Sequence, residues 1–169
     1  MAAAKEVLIS PADYKHRAAI MWASSLSHND LMECGTEKDF ACHKLEHELS
    51  GMFGVTHGAG LAAIWSSWAR YVMDKHLTRF VKFAVNLMGV TQDFTDPAAT
   101  ALRGIEAMES FFMSINMPIC IDDLLHRQLT DDEIDALVDK CSRGGKMNIG
   151  AMEVLTPEDM KAIYKLANE

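Results

Sequence analysis

His43-Lys44-Leu45-Glu46-His47-Glu48-Leu49-Ser50-Gly51-Met52-Phe53-Gly54-Val55-Thr56-His57 (HKLEHELSGMFGVTH) is the stretch on which the fold turns. His43 and His47 stand four apart, the spacing that sets two side chains on one face of an α-helix with their Cβ atoms roughly 6 Å apart. Gly51 and Gly54 predict the end of that helix and a turn, and Gly58 marks the entry to the next apolar helix, so His57 is carried back toward the first two rings. Imidazole is the commonest ligand of zinc and also suits iron, but a closed site normally takes four ligands and a catalytic one three plus an open position. Asp39, one turn before His43, is the local candidate for a further ligand. As the third residue of a turn capped by Thr36 it has an ordinary capping role, and that reading is preferred to ligation. Spacing alone leaves metal binding and ordinary packing side by side.

Helix starts recur outside this stretch. Ser10-Pro11-Ala12-Asp13 places a hydroxyl before a proline with an acid following, and the same logic appears at Thr36-Glu37-Lys38-Asp39, Thr95-Asp96-Pro97, Thr130-Asp131-Asp132-Glu133 and Thr156-Pro157-Glu158-Asp159. Between these signals apolar residues return every three or four positions: Ala19, Met21, Trp22 and Leu26; Phe80, Phe83, Ala84, Leu87 and Met88; Ile105, Met108, Phe111, Phe112 and Ile115. No run alternates as a strand would. The expected fold is an all-α multi-helix bundle, a single all-helical domain over residues 1–169. The twelve methionines and three tryptophans, Trp65 and Trp68 included, are assigned to packing.

Composition narrows the function classes. Hydrophobic residues make up 49% and charged ones 24%, the proportions of a folded globular chain rather than a disordered one. The net charge of −8, with scattered basic residues, excludes an electrostatic footprint for nucleic acid. The most apolar segment, Leu61 to Val72, carries Arg70 and falls short of the roughly 20 residues a bilayer span requires, so no membrane association is expected. The opening MAAAKEVLIS has one lysine and too short an apolar run for a signal peptide, which makes the cytoplasm the expected compartment. Cys34, Cys42, Cys120 and Cys141 form no CxxC pair and are expected to be reduced, buried thiols. There is no HExxH, GxGxxG, P-loop or GxSxG, and no Glu-x-x-His repeat on two helices. His16, His28, His76 and His126 stand alone, as surface or packing residues.

The run His43-x3-His47-Glu48-Leu49-Ser50-Gly51, then Gly54-Val55-Thr56-His57-Gly58, then Leu61-Ala62, resembles the second signature of the iron-containing (group III) alcohol dehydrogenases, particularly their butanol dehydrogenase branch. Asp13-Tyr14 through Arg17, Ile20 to Ser25, Leu155 to Asp159 and Ile163-Tyr164 agree with it, so the resemblance covers essentially the whole chain. It implies a chain corresponding to the all-α, metal-binding C-terminal domain of a two-domain enzyme, without the N-terminal α/β domain that binds NAD(P). It implies that His43 and His57 are two of four ligands to Fe(2+) or Zn(2+), the other two being an aspartate and a histidine lying before Met1. It places His47 near the nicotinamide and the substrate, in proton relay. The partners implied are the missing nucleotide-binding domain, a small alcohol or aldehyde substrate and, as a candidate, a second copy in a homodimer. The chain alone is expected to be inactive. Two other readings stand beside this one: a non-enzymatic helical interaction module derived from such an enzyme, and a self-contained metal hydrolase built on Asp39, His43, His47 and His57.

Overall fold

The computed structural model describes residues 1–169, and its contacts divide the chain into two compact units, Met1–Lys38 and Asp39–Glu169. The first unit pairs α1 (Ala2–Ile9) with α2 (Tyr14–His28) and ends in a 3₁₀ turn, Leu31–Glu33. Helix α2 begins later than the Ser10-Pro11 signal predicts. Asp13 is its cap, the side chain accepting the amide of His16 at 2.9 Å, because a carboxylate at this position satisfies one of the unpaired first-turn amides. Neither α1 nor α2 contains a buried residue. Met21 and Trp22, expected in the core, are 72% and 66% exposed; their spacing is helical, but they lie on an uncovered face.

The second unit carries the core. It runs through α3 (Ala41–Phe53), α4 (His57–Met73), a 3₁₀ turn (Asp74–His76), α5 (Leu77–Lys82) continued by a π turn (Phe83–Leu87), α6 (Pro97–Ser114), the short α7 (Ile121–Leu125), α8 (Asp131–Cys141) and α9 (Pro157–Ala167). No sheet is formed, only an isolated bridge between Ile149 and Leu155, and the expected all-α class holds. Asp96 caps α6 with Pro97 at its first position, and Thr130 and Thr156 each form a complete capping box, with Glu133 and Asp159 reaching back.

Helix α4 is the axis of this unit, packing against α3, α6, α7 and α9. Leu45 and Leu49 of α3, Ile64 of α4, Ile105 of α6, Leu137 of α8 and Ile163 of α9 are all fully buried or nearly so, and each such side chain removed from water stabilises the fold by roughly 1.5–3 kcal/mol. Polar ties fix the register between helices. The buried hydroxyl of Tyr164 donates to the carbonyl of Leu45 at 2.6 Å, and Ser66 donates to the carbonyl of Ile119 at 3.1 Å. Arg70 grips Glu109 with both guanidinium nitrogens. Tyr71 donates to Asp159 at 2.5 Å, and that bond, with burial, pushes its hydroxyl pKa up to about 12.

Candidate metal centre

The Thr36 signal does not start α3. Residues 36–40 are non-helical, the first helical residue is Ala41, and Asp39 precedes the helix instead of sitting in its first turn. Its Oδ1 accepts the amide of Ala41 at 2.7 Å, and its Oδ2 accepts those of Ala151 and Met152 at 3.0 and 2.7 Å. Both oxygens of Asp39 therefore join the start of α3 to a loop more than a hundred residues away. The helix runs through Gly51 and stops at Gly54, whose φ of 66° is left-handed and whose amide closes on the carbonyl of Ser50. Three residues later, after Thr56, α4 begins at His57.

This helix–turn–helix brings the three histidines together. The ring centroids of His43 and His47 are 6.3 Å apart, those of His43 and His57 5.4 Å, and those of His47 and His57 5.3 Å. Phe40 stands edge-on to His43 at 5.1 Å. His43 is half-buried, while His47 and His57 are exposed. The other histidines take no part: His76, for example, meets Glu153 at 3.0 Å alongside Lys75.

A fourth residue belongs to the cluster that spacing did not single out. Glu46 is fully buried; Oε1 accepts from Ser50 Oγ and Oε2 pairs with Nδ1 of His57. A ligand atom of each of Glu46, His47 and His57 lies within 4.8 Å of the others. The signal for Glu46 was present in the sequence. It stands four after Cys42 and three before Leu49, a charged side chain on an inward stripe of α3.

Beside His43 lies a cavity of about 310 Å³ whose lining includes Asp39, Cys42, Gly58, Leu61, Trp65 and Phe112. Trp65 and Trp68 are half-buried, pack against the core as expected, and line this space. Burial pushes the Cys42 thiol pKa well up, so the cavity wall carries a neutral sulfur and not a thiolate. Of the other cysteines, Cys141 is buried, Cys120 is half-buried and caps α7 through its sulfur, and Cys34 is exposed, contrary to the expectation of burial throughout.

The residues present fit a borderline transition metal: the rings of His43 and His47 lie 5.4 and 5.3 Å from that of His57, and a buried carboxylate holds His57 by Nδ1. A sequence model described as the C-terminal part of the Fe-containing alcohol dehydrogenase family matches residues 1–168. The chain belongs to that family. It is similar to the NADH-dependent butanol dehydrogenase A of Clostridium acetobutylicum, 31% identical over 90% of this chain and 39% of that protein. It is also similar to the NADPH-dependent aldehyde reductase YqhD of Escherichia coli, 28% identical over 96% of this chain and 41% of that one. The crystal structure of NADH-dependent butanol dehydrogenase A from Thermotoga maritima superposes with a TM-score of 0.86 at 29% identity, covering 97% of this chain and 42% of that chain. The chain thus spans about two fifths of the length of these family members. No helix is long and apolar enough to cross a membrane.

Proposed function

We propose that this chain is the metal-holding part of an NAD(P)-dependent oxidoreductase that interconverts small alcohols and aldehydes. The observation that carries the reading is the convergence of His43, His47 and His57, at ring-centroid separations of 5.3–6.3 Å, on two consecutive helices. His43 and His57 hold Fe(2+) or Zn(2+) together with two ligands supplied from outside residues 1–169. The bound metal supplies Lewis acidity that polarises the substrate oxygen for hydride exchange with the nicotinamide. His47, exposed and four residues from His43, moves the proton that accompanies the hydride. The apolar cavity beside His43 suits the hydrocarbon part of a small alcohol and keeps bulk water from one side of the cluster.

The sequence holds no GxGxxG for a pyrophosphate, so the chain alone is expected to show no dehydrogenase activity and to need a nucleotide-binding α/β domain as partner. The test is co-expression with the α/β domain of a family relative, followed by an assay of butanal reduction by NADH and NADPH with iron or zinc added. Activity that disappears in H57A supports the proposal. Two folded parts that stay inactive in every pairing and with every metal overturn it. The second reading, an interaction module without catalysis, draws on the exposed Tyr14, Met21 and Trp22. Sedimentation of the chain as a clean monomer that binds no hydrophobic dye removes it.

A further inference from the structure

Glu46 is a charged side chain with no exposure, and the reaction outlined above makes no use of it. Burying a carboxylate is expensive unless it is paired and hydrogen-bonded, so its partners indicate what it is for. It has two: Ser50, one turn along α3, and Nδ1 of His57, across the turn on α4. Room for it is made by Gly60. A Cβ at that position would stand 2.6 Å from Glu46 Oε1 and 2.8 Å from its Cγ.

We propose that Glu46 is a positioning residue that accepts the Nδ1–H of His57 and so presents Nε2 toward His43 and His47, with Gly60 kept side-chain-free to let the carboxylate sit there. The inference rests on the reading of His57 as a metal ligand. A carboxylate accepts and does not donate, so the pairing puts the ring proton on Nδ1 and leaves the lone pair on Nε2. Glu46 is not itself the ligand. Both of its oxygens are engaged by protein groups and it has no exposed surface, whereas 49% of the His57 side chain faces outward. A carboxylate behind a ligating imidazole fixes its tautomer and orientation and raises its basicity, and removing one costs about 10–100-fold in metal affinity. The ordinary solution preference of imidazole for a proton on Nε2 would point the wrong nitrogen at the ion.

Two measurements on the full chain test this: two-bond proton–nitrogen correlation spectra of the imidazole rings without metal, and zinc affinity by competition with a chromophoric chelator. The His57 ring is identified by its loss in H57A. Wild-type His57 is expected to carry its proton on Nδ1, and E46A and G60A to lose that preference. Both variants are expected to bind zinc about 10–100-fold more weakly, and E46Q, which keeps an acceptor oxygen, to recover most of the loss. G60A removes no group from the cluster and only displaces the carboxylate, so it carries the test if E46A fails to fold. A wild-type His57 protonated on Nε2 overturns the proposal, as does a zinc affinity in G60A, and in E46A where it folds, indistinguishable from wild type with the tautomer unmoved. Wild-type chain that binds no zinc weighs against the metal reading instead, and the tautomer spectra then decide the role of Glu46 alone.

Discussion

At the scale of single residues, Asp39 ties the start of α3 to a distant loop and Glu46 meets the histidine cluster. Asp39 looks like a ligand because it precedes His43 by one turn, yet its two oxygens accept three backbone amides, two of them from residues 151 and 152. No periodicity within α3 reveals that distant loop. Glu46, a charged residue on the inward stripe of α3, is the buried partner of His57. D39A is therefore expected to lower stability by about 3 kcal/mol, the cost of orphaned amides that had a charged acceptor, while leaving zinc affinity unchanged. Urea denaturation and the chelator competition check the two halves; weakened zinc binding at unchanged stability would restore Asp39 as a ligand. Glu133 gives a prediction in pH. Arg127, which it meets with both oxygens, and then the amide of Thr130 lower its pKa from 4.5 to about 2. A lowered folded-state value means stability that is fully present above 4.5 and is lost as the pH falls toward 2. The melting temperature of wild type should exceed that of E133Q at neutral pH, and the gap should close between pH 4.5 and about 2. A gap that persists at the acid end would place the effect in packing rather than charge.

At the scale of helices, local chemistry was legible wherever a cap acts on its own turn. Thr130 and Thr156 start α8 and α9 where the sequence says they should, since each box is closed by a residue three positions on. Thr36 offered the same pattern and failed, because the carboxylate three residues on is drawn away to the 151–152 loop and the helix begins only at Ala41. Gly51 and Gly54 looked alike in sequence; only Gly54 takes a positive φ and ends α3. The convergence of the three histidines was legible for the same reason that the caps were, being set by a short helix–turn–helix. The close approach of the π turn after α5 to α6 was not, since it joins residues twenty apart. A Cβ on Gly104 would stand 2.4 Å from Ala84 Cβ and 2.7 Å from its Cα, backbone that has no room to yield. G104A should destabilise the fold by about 1–3 kcal/mol, read as a shift of the urea midpoint at constant slope. An unchanged midpoint would show that the two helices separate freely.

At the scale of the molecule, helical periodicity identified the bundle but did not say which apolar faces are covered. The stripes through Phe80 and Ile105 enter the core, while the one through Met21 and Trp22 stays open, and nothing in their spacing distinguishes them. Coverage depends on what else packs there, which is a property of the whole assembly. It also sets how firmly each part is held. Opening a helix that buries no side chain exposes little new apolar surface, so its amides exchange through local fluctuations, whereas those beneath Leu45, Ile64 and Ile163 require near-global unfolding. Hydrogen exchange on the chain should show α1 and α2 at least about tenfold less protected than α3, α4 and α9. Fluorescence gives an independent reading: iodide should quench Trp22, 66% exposed, well before the half-buried Trp65 and Trp68, so that W22F removes most of the quenchable emission. Equal protection across residues 2–28 and the core helices, with a shielded Trp22, would mean that the open face of α2 is covered in solution, and a second copy of the chain would then be the first partner to look for.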